Sequence, residues 1–190
     1  MGLNVPNLLT WGRIVLIPLL LLVYYLPQNL IPDHTQNVIG ASIFALAAVT
    51  DWLDGYLARH LKQTSAFGAF LDPVADKLMV ATALLLLVEL RSVEAYIAAI
   101  IIGREIAISA LREWMAKIGE SRSVAVSFVG KLKTTAQMVA ILLLLYNDPL
   151  WIIDTKQVGS WLIYVAAVLT LWSMAYYLRK AAPLVREAMK

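Results

Sequence analysis

Four aspartates carry the chemistry this sequence offers. Asp51 and Asp54 stand in Asp51-Trp52-Leu53-Asp54-Gly55-Tyr56-Leu57-Ala58-Arg59, and Asp72 and Asp76 in Gly68-Ala69-Phe70-Leu71-Asp72-Pro73-Val74-Ala75-Asp76. On a helix, offsets of three and four return to the same side, so positions 51, 54, 55 and 58 share one face and positions 68, 72 and 76 share another. One short loop joins the two helices, which makes them antiparallel neighbours whose ends can point two carboxylates at two others. Four ionised carboxylates at the edge of an apolar environment repel one another and resist desolvation, so something must neutralise them. Divalent cations do this economically. The chain has no cysteine, and its two histidines, His34 and His60, lie far apart. The remaining oxygen-only donor set favours a hard ion such as Mg²⁺, Mn²⁺ or Ca²⁺. Gly55, Ala58 and Gly68 lack bulk and permit close approach of a ligand or of the partner helix. Such small residues alone would read as tight helix packing. Four carboxylates inside a membrane-type sequence instead mark a functional site.

A second group is cationic. Arg104 and Arg112 are eight residues apart and lie on nearly one helical face, with Lys131 and Lys133 opening the next apolar stretch. Arg104 sits among Ile101, Ile102, Ile106 and Ile108, too apolar a setting for a surface anchor, so Arg104, Arg112 and Lys131 are candidate binders of a substrate phosphate. For Lys133 and Lys117 anchoring toward lipid headgroups is an equal or better reading. Glu105 and Glu113 are candidate ion-pair partners that hold the arginines. Asn7, Thr10 and Arg13, spaced by three, form a polar stripe that either caps the first helix and snorkels or lines the pocket.

These groups need a scaffold, and composition dictates its class. With 61% hydrophobic residues, 15% charged residues and a mean hydropathy of +0.73, the 190-residue chain cannot cover a water-facing globule of its size. Two uncharged runs, Ile14–Pro32 and Gln157–Leu178, are long enough to cross a bilayer. Stretches at about 36–58, 67–90, 93–114 and 124–147 reach that length once some charges are accepted inside them. The expectation is an all-α, polytopic membrane protein of six transmembrane helices, one domain over residues 1–190. The first stretch reads as a retained span rather than a leader, since Arg13 stands where the apolar region should begin. Loop charge sets the orientation. One side carries only Arg91 and Lys156, while the other receives Arg59, Lys62, Lys117, Arg122, Arg179, Lys180, Arg186 and Lys190. The second side should be cytoplasmic, with both termini there. Trp11, Trp52, Trp114, Trp151 and Trp161 near the span ends fit an interfacial aromatic belt.

Position by position, Asp51, Asp54, Gly55, Ala58, Arg59, Gly68, Asp72 and Asp76 resemble the signature of the CDP-alcohol phosphatidyltransferases. The resemblance implies a six-helix membrane enzyme, usually a homodimer, with two divalent metal ions, Mg²⁺ or Mn²⁺, held by Asp51, Asp54, Asp72 and Asp76. It also implies that the cytidine diphosphate lies against Asp54, Gly55, Ala58, Arg59 and Gly68, and that Asp76 is the general base. Because a carboxylate beside metals is a weak base, a second route stays open, in which metal contact acidifies the hydroxyl and Asp76 orients it. Three further segments are similar to bacterial members that use a phosphorylated acceptor: Pro6 to Arg13, Gly103-Arg104-Glu105-Ile106 through Trp114, and Gly130-Lys131-Leu132-Lys133-Thr134-Thr135. They imply transfer of a phosphatidyl group from CDP-diacylglycerol to sn-glycerol 3-phosphate, releasing CMP, at the cytoplasmic face of a bacterial inner membrane. Arg104, Arg112 and Lys131 would then meet the acceptor phosphate, with Asn7, Thr10, Arg13 and Lys133 as pocket lining. Membrane lipid is the other partner and no nucleic acid is expected. Alternatives are the same chemistry with inositol phosphate or serine, or a divalent-cation transporter, which the absence of an internal repeat disfavours.

Overall fold

In the computed structural model, which describes residues 5–27, 29–61, 66–117 and 128–188, the chain is all-helical. Its elements are α1 (Val5–Tyr25), α2 (Asp33–Leu61), α3 (Ala66–Glu89), α4 (Ala95–Lys117), α5 (Phe128–Tyr146) and α6 (Thr155–Ala188). The only β pairing among the described residues is an isolated bridge between Leu150 and Ile153.

The helix ends have local causes. Arg91 (φ 54°) and Asn147 (φ 50°) adopt the left-handed conformation that stops a helix, just past α3 and α5. Asp154 caps α6 by accepting the Gln157 backbone N–H at 3.0 Å. One boundary differs from expectation. The start of α1 at Val5 agrees with Asn7, Thr10 and Arg13 forming a stripe on the start of the first helix, but the uncharged run reaches Pro32 whereas α1 ends at Tyr25. Pro27 cannot prolong the helix, and its carbonyl instead accepts the Leu30 N–H in a turn. Arg13 therefore lies well inside α1.

Helix α1 packs on α2 and α3, α2 on α5, α5 on α6, and α4 on α3 and α6. Buried Leu20, Phe44, Leu84, Leu87, Ile101, Ile141 and Leu144 tie these helices into one core. The outside is unusually apolar: Val15, Val49, Phe70, Leu85, Ile106, Val168 and Trp172 are all more than half exposed. A surface of that kind in water would be an aggregation liability, and in a bilayer it is the solvated face. By length and composition α1 over Leu8–Tyr25, α2 over Asp33–Leu53 and α6 over Thr155–Pro183 qualify as membrane spans.

The two ends of the bundle differ. At the end holding the C-termini of α1, α3 and α5, neutral and acidic groups make the links. The Tyr24 hydroxyl donates to the Leu145 carbonyl at 3.1 Å, the Tyr25 hydroxyl to Glu89 at 2.7 Å, and His34 Nδ1 meets Asp148 at 2.8 Å. The opposite end gathers the aspartates and buried cations.

Candidate active site

Two carboxylates from different helices converge on one guanidinium. Arg13 Nη1 on α1 lies 2.9 Å from Asp51 Oδ1 on α2 and 2.8 Å from Asp72 Oδ1 on α3. The arginine side chain is 1% exposed, while the two carboxylates are about 40% exposed. A long cation buried this deeply is no snorkelling anchor; it balances charge at the head of the carboxylate group. Thr10, one turn earlier, is buried as well, so the stripe Thr10–Arg13 faces inward. Asp76 follows Asp72 by about one turn on α3, is half-buried, and makes no hydrogen bond or ion pair among the described residues. Pro73 between them has no N–H, and its own carbonyl accepts from Lys77 Nζ at 3.2 Å.

The side chains of Asn7, Asp54, Gly55, Ala58, Arg59 and Lys131 lie outside the described residues, as do Lys62 and Arg122 entirely. Their helices can still be followed as backbone: Asp54 to Arg59 continue α2 one to two turns beyond Asp51, and Lys131 is in the first turn of α5. Gly68 opens α3, one turn before Asp72.

Asp51 and Asp72 bring two oxygen donors of the hard type to one point, where Arg13 now meets both. Among the described residues no three carboxylate or histidine side chains are gathered closely enough to hold a metal ion, and the Asp54 side chain lies outside them.

The cationic group forms a second, linked cluster. Arg104 on α4 is buried; its Nη2 donates to Ser173 Oγ on α6 at 3.0 Å and its Nη1 to Glu105 Oε1 at 3.3 Å. Glu105 also pairs with Lys133 of α5, whose side chain is 1% exposed. The surface-anchor reading of Lys133 is thereby overturned, because the ammonium is inside the bundle and joined to a carboxylate. Lys117 does behave as a surface group, paired with Glu113 at 3.0 Å while both are about 70% exposed. Glu113 thus serves Lys117 rather than Arg112. The guanidinium of Arg112 lies over the Tyr177 ring, 5.4 Å from its centroid, and that of Arg104 lies over the same ring at 5.8 Å. Eight residues apart on α4, the two arginines do share a face, and that face meets α6.

Sequence reasoning missed α6 here. Gln157–Leu178 contains no charge and reads as a lipid-facing span, yet Ser173 and Tyr177, one turn apart, are buried against the arginines. A hydroxyl and an aromatic four residues apart were the only sequence sign. Between α3 and α4 a small cleft is walled by Leu78, Val80, Ala81, Ile102 and Ile106, with Lys77 and Glu105 at its rim.

Comparison with known proteins gives the family. A family described as CDP-alcohol phosphatidyltransferase matches residues 3–172. The chain belongs to the CDP-alcohol phosphatidyltransferase family. Among its relatives, proteins named CDP-diacylglycerol--glycerol-3-phosphate 3-phosphatidyltransferase are 52% identical in Salmonella choleraesuis (strain SC-B67), 54% in Shigella flexneri serotype 5b (strain 8401) and 53% in Escherichia coli (strain K12). Each alignment covers 95% of this chain and 96% of the relative. As a CDP-alcohol phosphatidyltransferase, the protein carries the aspartates Asp51 and Asp72 on adjoining helices at the same end of the bundle as its buried cations.

Proposed function

We infer that this chain is a CDP-diacylglycerol–glycerol-3-phosphate 3-phosphatidyltransferase, joining the phosphatidyl group of CDP-diacylglycerol to sn-glycerol 3-phosphate and releasing CMP. The observation that carries the reading is 52–54% identity to proteins of that name over 95% of the chain. The charge layout supports it, because a carboxylate group beside a buried arginine–lysine cluster suits one substrate bearing a pyrophosphate and another bearing a phosphate.

The chemistry is a displacement at phosphorus. A hydroxyl of glycerol 3-phosphate forms the new P–O bond, the bond from phosphorus to the CMP oxygen breaks, and the hydroxyl proton is given up. Asp51, Asp54, Asp72 and Asp76 would hold two divalent ions, Mg²⁺ or Mn²⁺, which when bound neutralise the pyrophosphate charge. Asp76, its carboxylate otherwise unengaged among the described residues, takes the hydroxyl proton or orients the hydroxyl. Gly55, Ala58 and Gly68 leave room for the cytidine diphosphate, and Arg59 meets its charge. Arg104, Arg112 and Lys131 bind the acceptor phosphate through charge-assisted hydrogen bonds, with Lys133, Asn7, Thr10 and Arg13 shaping the pocket.

The finer architecture belongs to the same reading. All six helices cross a bacterial inner membrane, the termini and the active site face the cytoplasm, and two copies form a dimer as the family likeness implies. The lysine and arginine excess at the aspartate end supports this orientation.

An acceptor panel tests the assignment. Purified protein in detergent is given CDP-diacylglycerol, Mg²⁺ and, in turn, glycerol 3-phosphate, inositol phosphate or serine, with products weighed by mass spectrometry. Phosphatidylglycerophosphate formed from the first alone is the expected result. A product from another acceptor, or no CMP release with any, would overturn it.

A further inference from the structure

Helix α6 contributes nothing to the aspartate signature, yet it meets both candidate phosphate-binding arginines. Tyr177 is fully buried and Ser173, one turn before it, is nearly so. The Ser173 hydroxyl donates its proton to the Thr170 carbonyl at 2.9 Å, which leaves an oxygen lone pair to accept the Arg104 Nη2–H at 3.0 Å. The Tyr177 ring lies under the guanidiniums of Arg104 and Arg112, at 5.8 and 5.4 Å from its centroid.

Two guanidiniums gathered on one ring repel each other, and Arg112 makes no ion pair or hydrogen bond among the described residues. Both Nε–H groups are buried and unpartnered among those residues. A buried cationic donor without a partner is costly, and the negative face of an aromatic ring offsets part of that cost without consuming a single N–H. Arg104 is held in addition by Glu105 at 3.3 Å and Ser173 at 3.0 Å, whereas Arg112 is held by the ring with none of its N–H groups taken up by another described residue.

We propose that Tyr177, assisted by Ser173, is a positioning residue that holds Arg104 and Arg112 ready for the phosphate of the acceptor. The proposal rests on the acceptor-site reading of those two arginines. Its consequence is specific: losing the ring should damage use of the phosphorylated acceptor and spare the lipid nucleotide.

The test is steady-state CMP release by the full-length enzyme, varying each substrate separately, for Tyr177→Leu, Tyr177→Phe, Ser173→Ala and Arg112→Ala. Tyr177→Leu should raise KM for glycerol 3-phosphate about tenfold or more, with KM for CDP-diacylglycerol within about twofold of wild type. Tyr177→Phe keeps the ring and should restore most of the loss. Ser173→Ala, a change small enough to fold, should raise the acceptor KM about threefold or more and carries the test if Tyr177→Leu does not fold. A folded Tyr177→Leu protein with wild-type acceptor KM would overturn the proposal, as would a Tyr177→Leu or Ser173→Ala protein weakened equally toward both substrates. Arg112→Ala separates the two levels. If it leaves the acceptor KM unchanged, the acceptor-site reading itself fails; if it raises KM while the Tyr177 and Ser173 variants do not, only the positioning role fails.

Discussion

Arg13 meets both Asp51 and Asp72 with a single nitrogen, so three helices depend on one side chain for charge balance at the head of the bundle. Replacing it with Met leaves two adjacent carboxylates without their cation. Because both are about 40% exposed, water softens the cost, and Arg13→Met should lose about 1–3 kcal/mol of unfolding free energy in metal-free detergent solution. A divalent ion can replace the missing charge, so Mg²⁺ should raise the melting temperature of the variant more than that of wild type. Equal shifts in the two proteins would mean that Asp51 and Asp72 are not where the ion acts. Lys133 and Glu105 give a second case. Lys133→Met strands a carboxylate that keeps only the longer 3.3 Å contact to Arg104, and should cost about 3 kcal/mol; Lys133→Met with Glu105→Gln should recover much of it, as a double-mutant cycle of unfolding energies would reveal. That Asp51 and Asp72 come from neighbouring helices was legible because the short gap between their segments makes the helices adjoin. Arg13, Lys133 and Tyr177 were not, since their partners lie on helices remote in sequence and no local periodicity encodes such a pairing.

Helix boundaries were legible where a residue type enforces them and less so where hydropathy alone was available. The breaks at Arg91 and Asn147 coincide with left-handed residues, and the one after α1 with Pro27, but the uncharged run to Pro32 carries the first span past the end of α1 at Tyr25. Helix-to-helix distance is set by small residues that hydropathy also hides. A Cβ on Gly159 of α6 would lie 2.8 Å from Leu144 Cγ and 3.3 Å from the Ala140 carbonyl oxygen of α5, whereas a Cβ on Gly103 of α4 would meet nothing within 4 Å. Gly159→Ala should therefore force α5 and α6 apart and cost about 1–3 kcal/mol through overpacking. Gly103→Ala should be neutral or stabilising by up to about 1 kcal/mol, because the helix gains a better former and nothing is displaced. Unfolding of the two variants in the same detergent checks the contrast.

The whole molecule has one polar end built for charge and one built for neutrality, separated by a girdle of exposed apolar side chains. Arg13, Arg104, Arg112, Lys117 and Lys133 are all at the aspartate end, and Arg59 on α2 and Arg179 and Lys180 on α6 add to it. The opposite end has Arg91 and Lys156 among tyrosines, carboxylates and His34. During insertion the segments richest in lysine and arginine stay on the cytoplasmic side, and this asymmetry supports the proposed topology, with the aspartate end and both termini inside. A reporter fused after Lys190 should read cytoplasmic, and reporters placed near Asp33 or Lys156 should read the opposite side. Moving charge should move the protein: Arg179→Gln, Lys180→Gln, Arg186→Gln and Lys190→Gln together, with lysines added beside Lys156, should shift part of the C-terminal reporter signal outward. The proposed reaction asks for the same orientation on separate grounds. Nucleotide and glycerol phosphate groups are polyanions that do not cross a bilayer, so the carboxylate and arginine clusters must open to the compartment that supplies them. A wild-type C-terminal reporter found outside would place both clusters against the wrong compartment, and neither the charge bias nor the proposed reaction could then stand as argued.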